Sequence, residues 1–598
     1  MPDDQKKIIP INYTSREYTS IRDDLLEIAE RYYPDNFQDF SEASFGSLMI
    51  DAVAYVGDQL SFYLDYNVNE SFLDTAYQYN NIIRHGRVLG YKSQGRASTY
   101  GQVTLYILAP AHATTLGPDE NYLPVLRRGA RFVSDTGVNF LLTENVDFAN
   151  PKNRVVVART DGDTGAPTFY AIRAFGNVVS GVFEQEEIDV GVYERFKKVR
   201  LRAPNVSEIV SVTDSQGNEY FEVDYLAQDI IFKEIANRNF KDDNVPSVLQ
   251  PMLVSRKFVT EFDRDGVSLQ FGSGNEAESN VLVEPQTVAL DIFGKDYVTD
   301  TTFDPSRLPS NQNYGISPSN TTLTVVYRTS NPLSSNISAG QLNSVGRAAF
   351  DYKDRSALTS TTVLTVNNSL EVSNEKPIVG DVTYPNSDEI KQRIYDTFPT
   401  QNRAVTQTDY ESICYRMPAK FGSIKRVSAQ RDPNSQKRNI NMYVISEDKF
   451  GKLIKTNDTI KNNLKTWLNN YRMISDTVDI LDPYILNFGV NFIIKSKPGS
   501  NKFVTLEAAL QALRVHFSRN YYIGQQFSIS DIYSALKEVP DVLDVLNVKV
   551  IAKNGVGYSP AEIDINDNTS PDGDSIIIPR NAIVEVKFPE VDIVGKVK

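Results

Sequence analysis

Apolar positions near the start of the chain recur at alternating steps of three and four. Tyr18, Ile21, Leu25, Ile28 and Tyr32 keep that rhythm, which predicts a helix with a narrow, coiled-coil-like seam. Thr14 and Glu17 stand at capping-box spacing before it, and Pro34 marks its end. The next stretch, FGSLMIDAVAYVGDQLSFYLDYNVNESFLDTA from Phe45 to Ala76, predicts a second and oilier helix over its first two-thirds. At about 100° per residue, Leu48, Met49, Ile50, Ala52, Val53, Tyr55, Val56, Leu60, Phe62, Tyr63 and Leu64 cover well over half its circumference. An ordinary surface helix has a single apolar stripe. Asp51, Asp58 and Asp65, seven residues apart, form one acidic ridge. A third helical stretch holds Ile82, Ile83, Val88 and Leu89 and ends near Gly90.

From about 98 to 385 the period changes to two. Runs such as GQVTLYILA, RFVSDTGVNFLLT, NRVVVAR, KVRLRA, VSLQFGSG and TTLTVVYR alternate between Gly, Pro, Asn and Asp clusters, as antiparallel strands with long loops do. After 386, helical and strand patterns alternate. SDEIKQRIYDTF, TNDTIKNNLKTWLNNYRMI and TLEAALQALRVHFSRNYY read as helices, and NINMYVISED and YILNFGVNFIIKS as strands. Two segments repeat: VTQTDYESICYRMP at 405–418 and FSISDIYSALKEVP at 527–540. Each has a helix opened by an [ST]-x-x-D box, Thr406 with Asp409 and Ser528 with Asp531, is closed by proline, and leads into a strand-like run. The expected architecture is a multidomain α+β chain. It has an N-terminal helical segment at 1–95, an antiparallel β-rich middle at 96–385, and two related C-terminal α/β units at 386–495 and 496–598.

Composition narrows the function. The chain has 598 residues, a net charge of −14 and no long basic run, so nucleic acid is not an expected ligand. The single cysteine, Cys414, excludes an intrachain disulfide and fits a reducing compartment. No window of about 20 residues is free of charge, and MPDDQKKIIPINYT lacks an apolar signal core, so neither membrane insertion nor secretion is expected. The three histidines, His85, His112 and His516, make no zinc pattern. FGSGNE at 271–276 lacks the Lys-Ser/Thr of a phosphate loop and reads as a tight turn. DINDNTSPDGDS at 564–575 does not follow the calcium-loop order and, with RTDGDTGAP at 159–167, reads as a solvated turn. No catalytic residue, metal site or cofactor is expected.

Several stretches resemble the baseplate J-like family of contractile-tail phages. NIIRHGRVLGYKSQGRASTYGQVTL resembles its run from a helix through Gly-Tyr into the first strand. FGSGNEAE is similar to its Phe-Gly-Asp-Gly turn, with Ser273 in place of the acid. VVYRTSNPLSSNISAGQL resembles its Tyr-Arg segment, without the usual glycines. In NRAVTQTDYESICYRMP, Arg403, Ala404, Val405, Thr406, Asp409, Tyr410 and Glu411 sit where the family has them, and YYIGQQFSISDIYSALKEVPDVLDV resembles the end of the same module. The first two helices resemble those of wedge-ring proteins from T-even-like phages.

The resemblance implies a structural subunit of a baseplate wedge. Such a chain joins a second copy of itself and other wedge proteins through its N-terminal helices, in a ring around the tail hub that passes on the change triggering sheath contraction. Neighbouring wedges and sheath-initiating proteins are then further partners. The implied location is the virion tail, assembled in the host cytoplasm. The helix-face residues expected to meet partners are Tyr18, Ile21, Leu25, Ile28, Leu48, Met49, Val53, Val56, Leu60, Tyr63 and Leu64, with Asp51, Asp58 and Asp65 as a charged contact ridge. The loop-rich stretch at 301–320 and the linker at 374–387 are the expected hinges. Two rival functions are a β-rich tail adhesin or fibre protein and, on abundant acids alone, a cell-wall hydrolase.

Overall fold

The computed structural model describes residues 17–32, 44–95, 97–112, 116–236, 247–263, 266–274, 314–330, 335–380, 385–435, 439–448, 450–518 and 521–598. Thr14, Pro34 and the greater part of the 301–320 hinge candidate therefore lie outside the described residues, as do 381–384 of the second hinge candidate. The chain is α+β and forms two compact units. One holds residues 1–91 with 385–395, and the other holds 92–384 with 396–598.

The first unit is helical: α1 (Tyr18–Tyr32), α2 (Phe45–Glu70) and α3 (Tyr79–Val88). Ser44 starts α2 by accepting the Ser47 amide on its Oγ at 3.1 Å, which satisfies one of the free donors every helix start leaves. Glu70 governs the turn after α2. Its carboxylate accepts the Tyr77 amide at 2.8 Å, the Gln78 amide at 3.1 Å and Asn81 Nδ2 at 2.8 Å. Burial pushes the Glu70 carboxyl up, but these donors outweigh it and hold the group below the usual carboxylate range. His85 Nε2 lies 2.8 Å from the Glu70 carbonyl oxygen. A small core of Ala76, Ile82, Ile83, Tyr91, Ile390 and Ile394 closes the unit. Its two isoleucines at 390 and 394 come from the first turns of the helix Ser387–Thr400.

The second unit opens with two seven-stranded sheets. The first runs in the order Leu342–Arg347, Arg131–Ser134, Asn139–Leu142, Pro167–Ser180, Tyr100–Pro110, Glu371–Ser373, with Arg154–Thr160 also on Pro167–Ser180. Tyr100–Pro110 pairs along its whole length, from Tyr100 opposite Val179 to Pro110 opposite Phe169. Val103, Leu105, Ile107 and Ala109 alternate inward from it and pack with Phe132, Phe140 and Ile172. The second sheet runs Val182–Asp189, Thr322–Thr329, Val206–Asp214, Glu219–Glu222, Lys257–Asp263, Gly266–Phe271, Lys198–Arg200. Its pairs are antiparallel except for Glu219–Glu222 on Lys257–Asp263, which is parallel. RTDGDTGAP is the expected turn, with Asp161 Oδ1 accepting the Asp163 amide at 2.8 Å.

Arg328 bolts the two sheets together. Its side chain is 1% exposed. From the second sheet, its Nη1 donates to the Ser180 carbonyl at 2.7 Å, at the end of a first-sheet strand, and to Ser98 Oγ at 2.8 Å. The remaining nitrogens reach Glu208 Oε2 at 3.2 Å. Five donors in a planar fork make Arg the side chain suited to this junction.

Two four-stranded sheets follow. In the first, Asn439–Glu447 has Arg426–Arg431 antiparallel on one side and Leu453–Lys455 and parallel Thr477–Leu481 on the other. In the second, Tyr484–Ser496 has Val542–Ala552 antiparallel on one side and parallel Ala582–Glu585 and Ile593–Val597 on the other. The two share their parts in permuted order. In the first, the capped helix Gln407–Tyr415 and the edge strand Arg426–Arg431 precede the central strand and the helix Asp458–Asn469. In the second, the central strand and the helix Lys502–Phe517 come first, then the capped helix Ile529–Lys537 and its edge strand. The sequence repeat falls on the capped helices.

Candidate functional site

Ser47, Ala54 and Gly57 mark the side of α2 turned to α1. Ser47 and Ala54 are buried, and a Cβ on Gly57 would come within 3.3 Å of Ile21 Cδ1. Small side chains here let the two helices approach closely. Arg22 Nε lies 2.7 Å from Asp51 Oδ1, with both side chains about a third exposed. Asp51 is therefore held within the chain by α1. The hydrogen bond from Arg22 holds its carboxyl below the usual range, against the opposing push of burial. Burial first, and Asp51 second, push the Tyr18 phenol up. Asp58 is half-buried and Asp65 exposed.

A carboxylate whose folded value is depressed adds stability above its unfolded value and loses it as pH falls through the folded one. The α1–α2 pairing should thus be steady at neutral pH and loosen below about pH 4. Asp51→Asn should lower hydrogen-exchange protection of α1 at pH 6, and the gap to wild type should narrow as pH falls below about 4. A gap that persists unchanged at low pH would assign the effect to something other than this carboxylate.

The far side of α2 is exposed. Leu48, Met49, Val53, Tyr55, Val56, Leu60, Phe62, Tyr63, Leu64 and Val68 are all between 49% and 65% exposed. Measured from Ala54, the exposed arc runs from Phe62 and Tyr55 through Tyr63 to Val53 and Leu64, about 200° of the helix. It amounts to on the order of 1,000 Å², against about 300–600 Å² for the largest apolar patch of a typical monomer. Every α2 residue expected at a partner surface lies on this arc. On α1, Tyr18, Ile21 and Leu25 are half-buried, and Ile28 is 43% exposed. Tyr55 and Phe62, which lie on the same arc, were readable from helical spacing alone.

The 403–411 motif is a bracket. Thr406 Oγ1 accepts the Asp409 amide at 3.2 Å, and Asp409 Oδ2 accepts the Thr406 amide at 2.9 Å, a complete capping box. Ala404 is buried, and its amide donates to the Tyr471 carbonyl at 3.0 Å. Arg403 and Val405 are exposed. Tyr410 donates its hydroxyl to Asp476 Oδ2 at 2.8 Å, and burial pushes its phenol up. Glu411 accepts the Ala429 amide at 2.8 Å, and burial raises its carboxyl. Ser528 Oγ accepts the Asp531 amide at 3.1 Å in the second copy of the box. Cys414 is buried among apolar side chains, which raises its thiol away from reactivity. Among the described residues no group of three or more His, Cys, Asp and Glu is placed to hold a metal ion, and no helix is long and apolar enough to cross a membrane.

Residues 17–88, which span α1, α2 and α3, match the family model for the bacteriophage baseplate protein, N-terminal domain. No curated protein matches the sequence. Among solved structures, the chain is similar to one in the 6-fold symmetrised anti-feeding prophage baseplate, at 10% identity over 94% of this chain and 90% of that one, with a TM-score of 0.23. A second likeness is to the type VI secretion system TssK-TssF-TssG baseplate subcomplex, at 8% identity over 73% of this chain and 95% of that one, also at 0.23. Both TM-scores are too low to establish a shared fold.

Proposed function

We propose that the chain is a non-catalytic structural subunit of a contractile-tail baseplate wedge, and that it enters the assembly through the exposed face of α2. The supporting observation is the coincidence of that face with the segment matching a bacteriophage baseplate N-terminal domain. One amphipathic helix covers a stripe of about 100°, so an arc of about 200° calls for two further helices. The surface still open on ten large side chains offers roughly 10–20 kcal/mol of gross burial. Association costs about 4–15 kcal/mol. The balance favours a permanent bundle over a passing contact.

In this reading the bundle partners are other wedge proteins, and copies of the chain meet through the C-terminal units to close a ring around the tail hub. A ring of one chain type needs either two unlike surfaces or alternating two-fold contacts on each subunit, and the permuted pair of α/β sheets is our candidate for the former. Widening of this ring would release the sheath. The subunit would be assembled in the host cytoplasm and reside in the virion. Gold-labelled antibody against the chain should decorate one end of contractile tails, at the baseplate, in electron micrographs. Labelling along the sheath, or on fibres, would replace this reading with the adhesin one.

A further inference from the structure

The sheet around Tyr484–Ser496 has one side filled and one side bare. Phe488, Val490, Phe492 and Ile494 alternate into a core with Ala509 and Leu513 of the helix Lys502–Phe517 and with Ile532 and Leu536 of the helix Ile529–Lys537. Asn491, Ile493 and Lys495 turn the other way. On one neighbouring strand Lys549 stands opposite Asn491 and Asn547 opposite Ile493. On the other, Val594 stands opposite Asn491 and Lys596 opposite Ile493. Asn491, Lys495, Asn547, Lys549 and Lys596 are exposed, and Val594 is 47% exposed. Lys553, over Gly489 on the same side, is paired with Asp592 at 3.5 Å. Among the described residues no ion pair forms at Lys495, Lys549 or Lys596. Asp544, opposite Lys495, accepts the Val545 amide on Oδ1 at 2.9 Å. In a chain of net charge −14, this side is a local reversal of sign.

We infer that this side of the C-terminal sheet docks an acidic surface of a different protein chain, one that sets Asp or Glu against Lys495, Lys549 and Lys596 and an apolar side chain on Val594. Charge complementarity selects the acid and speeds the encounter. Val594 and the half-buried Ile493 lie between the lysines and call for a packed protein surface. These strand positions hold no Arg and no aromatic residue, the side chains that fork onto phosphates and stack on bases. A second copy laid on the same side would set lysine against lysine, which is repulsive. Contacts between copies are thereby left to other surfaces of the unit. The inference rests on the reading of the chain as a tail subunit, because that is where the partner is sought.

The test compares the free full chain with purified tails by lysine acetylation and mass spectrometry. Lys495, Lys549 and Lys596 should be labelled in the free chain and protected in tails. A carbodiimide, which joins a lysine amine to a touching carboxylate without a spacer, should then link Lys549 or Lys596 in tails to an Asp or Glu of another protein. Lys549→Glu with Lys596→Glu should leave the circular dichroism of the free chain unchanged and cut its incorporation into tails at least about tenfold. Equal labelling in both states, or normal incorporation of the variant, overturns the inference and leaves the tail-subunit reading standing. So does a link to a carboxylate of this same sequence, since a second copy would then be the occupant. So does protection that nuclease treatment removes, which would assign the lysines to nucleic acid. A chain absent from purified tails overturns the tail-subunit reading and this inference with it.

Discussion

Val56→Asp with Leu60→Asp is expected to leave the chain folded and to remove it from assembled particles. Both side chains point outward from α2, 55% and 58% exposed. In the free chain the two carboxylates stay in water, and surface changes of this kind shift stability by about 0.5 kcal/mol or less. In the bundle the same carboxylates would be buried without partners, at several kcal/mol each. Incorporation should drop at least about a hundredfold, since each 1.4 kcal/mol is a factor of ten. The check is the amount of variant in purified tails against its circular dichroism spectrum as free protein. Normal incorporation would mean that α2 is not an assembly surface.

Arg328→Ala should be the most damaging single change in the β-rich region, at about 3 kcal/mol. Its guanidinium is enclosed, and its loss strands the Ser180 carbonyl and leaves a void between the sheets. Glu208 is about a third exposed, so water resolvates its carboxylate and the cost stays below that of a fully buried pair. Arg328→Lys keeps the charge but not the fork and should fall between. Hydrogen exchange on Tyr100–Pro110 and Val206–Asp214 is the appropriate readout, because a chain of this size does not unfold in one step. Unchanged protection of both strands would show that Arg328 does not hold the sheets.

Where a local pattern decides the outcome, the sequence was enough. YILNFGVNFIIKS is the strand Tyr484–Ser496 to the residue, and the Thr406–Asp409 box forms as its spacing requires. RFVSDTGVNFLLT, read as one run, is two strands, Arg131–Ser134 and Asn139–Leu142. Gly137 at φ 80° takes the left-handed turn position between them. What stays hidden from sequence is which way an element faces. Helical spacing placed Asp51, Asp58 and Asp65 on one ridge, yet only the fold shows that α1 lies on that side and that Arg22 takes Asp51. The Tyr-Arg segment marks Arg328 in the sequence, but no local pattern shows what it holds, since its partners Ser98, Ser180 and Glu208 lie more than a hundred residues away along the chain. The permuted order of the two α/β units is hidden for the same reason.

The central strand Tyr484–Ser496 sets a schedule for synthesis. Its antiparallel partner, Val542–Ala552, follows roughly 50 residues later, but its parallel partners, Ala582–Glu585 and Ile593–Val597, follow only after roughly 100. At about 5–20 residues per second, one edge of that strand waits on the order of 5–20 s for its neighbours to be made. Through that interval α2 has already left the ribosome with its apolar side uncovered. A nascent chain therefore carries two sticky surfaces at once, one that its own later residues will close and one that, in the proposed assembly, only another protein can. Cells making this subunit without its partner should accumulate it in chaperone-bound or aggregated form.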